Sequence, residues 1–218
     1  MDTRLKAIID CVPKGSRVAD IGTDHGYLTI ELIKRNIAEF VIASDKNSKP
    51  LAAAQKNIKE VGVEDKVDLR LGDGLKPLKV DEVDIICIAG MGGALMCDIL
   101  DASPEIVEKI DKIILQPMNA SEKVRQWGAE NNFYIEDEDL AEVDGIIYEI
   151  ICLSRTFSKF ESTRKAASPL YNKFIETKIS KLQKVIDSMS KSQKAMASDK
   201  YLELQEKIKR LNESLIVI

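Results

Sequence analysis

The chain has 218 residues, 44% of them hydrophobic and 31% charged, enough for one domain with a real core plus an appendage. Its longest apolar runs, such as IICIA at residues 85–89, fall far short of the roughly 20 residues that span a bilayer, and MDTRLKAIID lacks a signal-peptide pattern, so a cytoplasmic protein without a membrane segment is expected. One histidine and four cysteines without a CxxC pair argue against a metal site and for reduced thiols, while the net charge of −4 hides an asymmetry: 18 basic against 29 acidic residues over 1–153 (net −11), 14 against 7 over 154–218 (net +7).

Arg4 precedes an amphipathic N-terminal helix. Two hydrophobic periods then alternate through residues 17–153. β-rich runs at 17–22, 40–45, 66–73, 83–90 and 112–117 are separated by helical patterns, among them Leu51, Ala54, Ile58 and Val61. Strands alternating with helices predict βαβ units and a parallel sheet covered on both faces. Two further strands, FYIEDEDL and IIYEIICLS, are joined only by AEVDG, a link long enough for an antiparallel hairpin but not for a parallel crossover. The predicted fold is therefore α/β, a Rossmann-like seven-stranded sheet that ends in an antiparallel pair.

The pattern changes near residue 155. Ser168 is expected to cap a helix that Pro169 begins, with Tyr171, Ile175, Ile179, Leu182, Ile186 and Met189 recurring at spacings of three and four. After a polar turn, Tyr201, Leu204, Ile208, Leu211 and Leu215 repeat the stripe, which predicts an antiparallel helical hairpin, a short coiled coil. The domains are expected at 1–155 and 156–218, the second a basic module whose charge suits a phosphate backbone or a solvated helix surface.

Ligands of an open parallel sheet bind beyond the carboxyl ends of its strands, against backbone N–H groups and a helix N-terminus. ADIGTDHGYLT (19–29) places Asp20, Gly22 and Gly26 there in the spacing DxGxxxG, with Asp24 where a dinucleotide fingerprint has its middle glycine. A carboxylate there repels a diphosphate and suits a sulfonium, which favours S-adenosylmethionine over NAD. Asp45 ends the second strand, 25 residues after Asp20, where it can accept from ribose hydroxyls; Asp73 ends the third, between Gly72 and Gly74, where it can accept from an adenine amine. After the fourth strand, IAGMGG (88–93) offers Gly90, Gly92 and Gly93 as a bare backbone ledge for the methionine end of the cofactor or a flat base, or simply a helix entry, with Met91 and Gly92 as candidate substrate contacts. Arg4 is a candidate for a substrate phosphate or the cofactor carboxylate. Asp24 and His25 are the candidate catalytic groups, although a lone histidine in a βα turn is more often structural.

ADIGTDHGYLT, ASDKNSKPLAAAQKNI, LGDGL, IAGMGG, ILQPM and DGIIYEII, in this order and followed by a helical hairpin, resemble the bacterial tRNA adenine-N1 methyltransferase family acting on nucleotide 22. The resemblance spans essentially the whole chain; Thr29 and Met118 depart from the proline and asparagine expected in many relatives. It implies a Rossmann-like class I methyltransferase domain with a C-terminal coiled coil, S-adenosylmethionine as methyl donor and tRNA as substrate, with Asp20, Gly22 and Gly26 in the cofactor turn, Asp45 on the ribose and Asp73 near the adenine. A monomer is expected. Other readings of the same residues are a small-molecule methyltransferase and a non-catalytic RNA-binding protein on the same fold.

Overall fold

The computed structural model describes residues 2–156 and 164–215, which fall in two compact units, Met1–Arg164 and Lys165–Ile218. In the first, helix α1 (Thr3–Ile9) is capped by Asp2, whose carboxylate accepts from the Leu5 N–H at 2.7 Å. Arg4 therefore lies inside this helix, not before it, because the acceptor that starts the helix is Asp2. Strands β1 (Ser16–Ile21), β2 (Ala38–Asp45), β3 (Val67–Leu71), β4 (Ile85–Met91) and β5 (Lys112–Pro117) follow, linked through α2 (Tyr27–Lys34), α3 (Ser48–Val61), α4 (Gly93–Asp101) and α5 (Pro104–Val107). Helix α6 (Ser121–Glu130) then leads to β6 (Tyr134–Val143) and β7 (Ile146–Ser154).

The sheet order is β3-β2-β1-β4-β5-β7-β6, with the first five strands parallel and β7 antiparallel to both β5 and β6. The central strands are apolar on both faces, as parallel strands under two helical layers must be. Ala19, Ile21, Ile86, Ile88, Ile113 and Leu115 pack on one side with Met96 and Leu100 of α4 and Val124 and Trp127 of α6. Val18, Ile85, Cys87 and Ile114 alternate onto the other, against Ile8 and Ile9 of α1 and Leu28 and Leu32 of α2. Strand order reverses between β1 and β4, so the carboxyl ends of these two strands open the crevice where such sheets take ligands.

The link between the last strands is shorter than the sequence suggests. Pairing continues through Val143↔Ile146, leaving only Asp144 (φ 50°) and Gly145 (φ 77°) as the turn. Two consecutive left-handed residues match the twist of a tight hairpin, and Asp-Gly is a favoured pair for it, so Ala141, Glu142 and Val143 join the strand.

In the second unit, α8 (Tyr171–Met189) and α10 (Asp199–Glu213) pack along one another, and α9 (Gln193–Met196) lies between them; α7 (Arg164–Ala167) precedes α8. Ser168 does not cap a helix begun by Pro169: its hydroxyl accepts from the Leu170 N–H at 3.2 Å within a turn, and α8 starts at Tyr171. The local Ser side-chain bond competes with the helix here. Ile175 and Ile186 are buried, and Ile179, Leu182, Tyr201, Leu204, Ile208 and Leu211 are half-buried, so the expected stripe is the seam of the hairpin. Lys173, Lys181, Lys184, Lys191, Lys194, Lys200, Lys207 and Lys209 are exposed around it. Among the described residues, no helix is long and apolar enough to cross a membrane, and no group of three or more His, Cys, Asp or Glu side chains could hold a metal ion.

Candidate functional site

The turn after β1 needs three left-handed residues within five: Gly22 (φ 75°), Asp24 (φ 52°) and Gly26 (φ 75°). Aspartate tolerates this region better than most side chains, and glycine enters it freely. The Gly22 and Thr23 N–H groups both donate to the Ser44 carbonyl, at 2.8 and 2.9 Å, which ties the turn to β2. A Cβ on Gly22 would lie 2.2 Å from Met91 Cε, so the tip of the Met91 side chain packs over the bare Gly22 backbone. Gly26, the N-cap of α2, faces α3: a Cβ there would sit 3.2 Å from Ala54 Cβ. Gly26 thus lets two helices meet and does not line the crevice.

Asp20 is buried, and its Oδ2 accepts from the Thr23 and Thr29 hydroxyls at 2.7 and 2.8 Å. Burial pushes its carboxyl above the ordinary value, against the downward pull of these two donors. Its side chain is committed to holding the turn, and Thr23 and Thr29, three and nine residues on, complete the network. Asp24 and His25 stand out from the turn, with side chains 68% and 49% exposed and Asp24 Oδ1 3.8 Å from His25 Nε2. The His25 ring stacks on that of Tyr27, centroids 5.6 Å apart. Neither candidate catalytic group is held by a buried partner of the kind that orients a general base.

At the end of β2, Asp45 is buried and its Oδ1 accepts from the Asn47 N–H at 2.8 Å, while Oδ2 takes a longer contact of 3.4 Å from the Asp24 N–H. Beside it the Ser44 hydroxyl, buried and on the crevice wall, has no hydrogen-bond partner, which is costly unless a ligand supplies one. Past β3, Asp73 is exposed at the crevice rim and pairs with Lys76 Nζ at 3.3 Å; Gly72 and Gly74 flank it on the same wall.

The β4 ledge is a β-bulge. Ala89 pairs with Gln116 and Met91 with Pro117, which leaves Gly90, at φ 75°, outside the register. Its freed N–H donates to Gln116 Oε1 at 3.2 Å, and Arg4 Nη1 donates to the same oxygen at 3.3 Å. Arg4 also lies 3.8 Å from Asp2 and 5.5 Å from the Tyr148 ring centroid. Gly92 caps α4 and abuts Asn119, away from the crevice lining. Sequence reasoning missed Ser44, Thr23 and Gln116; the last lies within the ILQPM run, but nothing local to it announces a partner 112 residues away.

Together these residues enclose about 580 Å³, a volume in the range of small-molecule sites, lined by Arg4, Asp20, Gly22, Asp24, His25, Asp45, Gly72, Asp73, Gly74, Gly90 and Met91 among others. The donor set fits S-adenosylmethionine: an unpartnered hydroxyl and a buried carboxylate for ribose, and exposed acids for a sulfonium and an ammonium. The switch-point crevice on a sheet with a terminal antiparallel pair defines a Rossmann-like methyltransferase. Residues 1–151 match the family model described as a methyltransferase domain, and the chain belongs to that family. It is 34% identical over 151 residues, 69% of its length, to the tRNA (adenine(22)-N(1))-methyltransferase of Bacillus subtilis, and spans 63% of that relative. A crystal structure of the B. subtilis M1A22 tRNA methyltransferase TrmK superposes with TM-score 0.85 at 26% identity, covering 99% of both chains. A candidate tRNA (m1A22) methyltransferase of Streptococcus pneumoniae, solved with S-adenosyl-L-methionine, gives TM-score 0.85 at 29% identity over 99% of this chain and 100% of that one.

Proposed function

We propose that the protein transfers a methyl group from S-adenosylmethionine to N1 of the adenine at nucleotide 22 of tRNA. The observation that carries the reading is the crevice itself: an acid-rich turn, a buried Asp45 beside an orphaned Ser44 hydroxyl, and a bare Gly90 ledge facing one another at the switch point. In this reading S-adenosylmethionine, when bound, supplies a sulfonium-activated methyl group. Asp45 accepts from the ribose, Asp73 exchanges its Lys76 partner for the adenine amine, and the Gly22 and Gly90 backbones leave room for the methionine end. Asp20, through Thr23 and Thr29, keeps the turn in its left-handed path.

Adenine N1 has a free lone pair at neutral pH, so attack needs no strong general base and the product carries the positive charge. Positioning and electrostatics then supply the catalysis. The exposed Asp24 carboxylate stabilises the developing cation or holds the adenine amine, and His25 and Tyr27 present their stacked rings at the mouth of the crevice. Arg4, carried by α1 on the same crevice, meets the substrate. The Watson–Crick edge of a paired adenine is blocked, so the base is exposed or flipped before reaction. In the same reading residues 1–155 form the catalytic domain and 156–218 a basic tRNA-binding hairpin, and the protein acts as a cytoplasmic monomer.

Titration calorimetry with S-adenosylmethionine tests the cofactor: no binding at millimolar ligand sinks the reading. Transfer of labelled methyl to tRNA transcripts with and without adenine at nucleotide 22 tests the substrate, and equal transfer to both rejects the site assignment.

A further inference from the structure

Gln116 is fully buried near the end of β5, and its one side-chain oxygen accepts from two donors that come from different elements of the crevice lining. One is the N–H of Gly90, freed by the bulge in β4; the other is the guanidinium of Arg4, delivered by α1. The remaining face of the amide is closed by Met118, whose sulfur lies 3.8 Å from Nε2. A glutamine in the middle of a sheet is costly unless its polar atoms are paired, and a leucine would fill the same space. What glutamine adds is a link: the path of the Gly90 ledge and the direction of the Arg4 side chain are set by the same atom.

We infer that Gln116 is a positioning residue for methyl transfer, coupling the Gly90 ledge to Arg4 so that the ledge and the substrate-side cation are presented in one fixed geometry. This rests on the tRNA methyltransferase reading above. Without Oε1, the Gly90 N–H is left unpaired and Arg4 keeps only Asp2 and the Tyr148 ring, both nearer the solvent. Arg4 then samples several rotamers, and a misplacement of about 1 Å is enough to cost a large factor in turnover.

The test compares steady-state transfer to tRNA by wild type, Gln116→Leu, Gln116→Asn and Gln116→Glu, alone and with Arg4→Ala. Calorimetric S-adenosylmethionine binding and thermal melting are measured on each. Leu and Asn, which remove or withdraw Oε1, are expected to lower kcat roughly tenfold while cofactor affinity changes by no more than about threefold. Glu keeps an acceptor at the same reach and restores kcat to within about threefold. The Gln116→Leu, Arg4→Ala double variant is expected to be no slower than the worse single one, the mark of residues acting as a unit. Wild-type kcat in a folded Leu or Asn variant overturns the proposal, as does a Glu variant as impaired as Leu, or a double variant whose loss is the product of the two singles. If Leu does not fold, the Asn and Glu variants decide alone. Absence of transfer by the wild-type protein overturns the tRNA reading and this proposal with it; transfer by wild type with unaffected variants overturns the proposal only.

Discussion

The two units of this chain use charge in opposite ways. Met1–Arg164 holds 21 basic and 30 acidic residues, net −9, and its decisive polar groups are buried with named partners: Asp20 with two threonines, Gln116 with two donors. Lys165–Ile218 holds 11 basic and 6 acidic residues, net +5, carried by lysines exposed around an apolar seam. Buried groups are individually irreplaceable, because losing one strands its partner. Exposed lysines act as a sum, each weak and screened by salt.

That contrast predicts a graded series. The largest effect is expected from Gly22→Val, which needs a left-handed β-branched residue and a Cβ 2.2 Å from Met91 Cε; cofactor binding by calorimetry should vanish. Truncation after Arg164 keeps the Arg164–Asp137 ion pair that closes the first unit and removes the hairpin. It should weaken tRNA binding by on the order of tenfold or more and flatten its salt dependence, leaving S-adenosylmethionine affinity unchanged. Loss of both would assign the hairpin a structural role.

A smaller effect is expected from Thr29→Val, which removes one donor from buried Asp20 and should cost about 1–3 kcal/mol in denaturant unfolding. The deficit should grow with pH. The native carboxyl titrates above its unfolded value, so the stability linked to its protonated form is fully present below the unfolded pKa and is lost as pH rises through the native one; removing a donor to the anion deepens that loss. Last come single lysine neutralisations such as Lys184→Gln, expected to change tRNA affinity by about twofold each. A single lysine worth as much as the whole hairpin would break the comparison.

Much of the first unit was legible in the sequence because its strands and helices differ in hydrophobic period, and because Asp20, Asp45 and Asp73 each lie within two residues of a strand's end. What the period does not carry is the competition among local hydrogen bonds. Asp-Gly drew the last hairpin tighter than a five-residue link, and the Ser168 hydroxyl delayed α8 to Tyr171. The site was legible as a set of strand ends but not as a network. Nothing in DxGxxxG reveals that Asp20 spends its carboxylate on Thr23 and Thr29, or that Gly26 serves the contact with Ala54. Gln116 was out of reach for a plainer reason: its partners lie 26 and 112 positions away, and only the closed sheet brings them together.

The support of Arg4 is assembled from the first helix, the fifth strand and the last two, for Gln116 accepts from the guanidinium, Tyr148 of β7 sits under it, and the Thr3 hydroxyl donates to the Glu142 carbonyl of β6 at 2.5 Å. A ribosome elongating at about 5–20 residues per second exposes Arg4 on the order of 10 s before Tyr148 exists. During that interval the nascent chain has its βα turn and Asp45 but no finished support for Arg4. The Arg4 side of the crevice is therefore completed last, when the antiparallel pair locks onto the sheet.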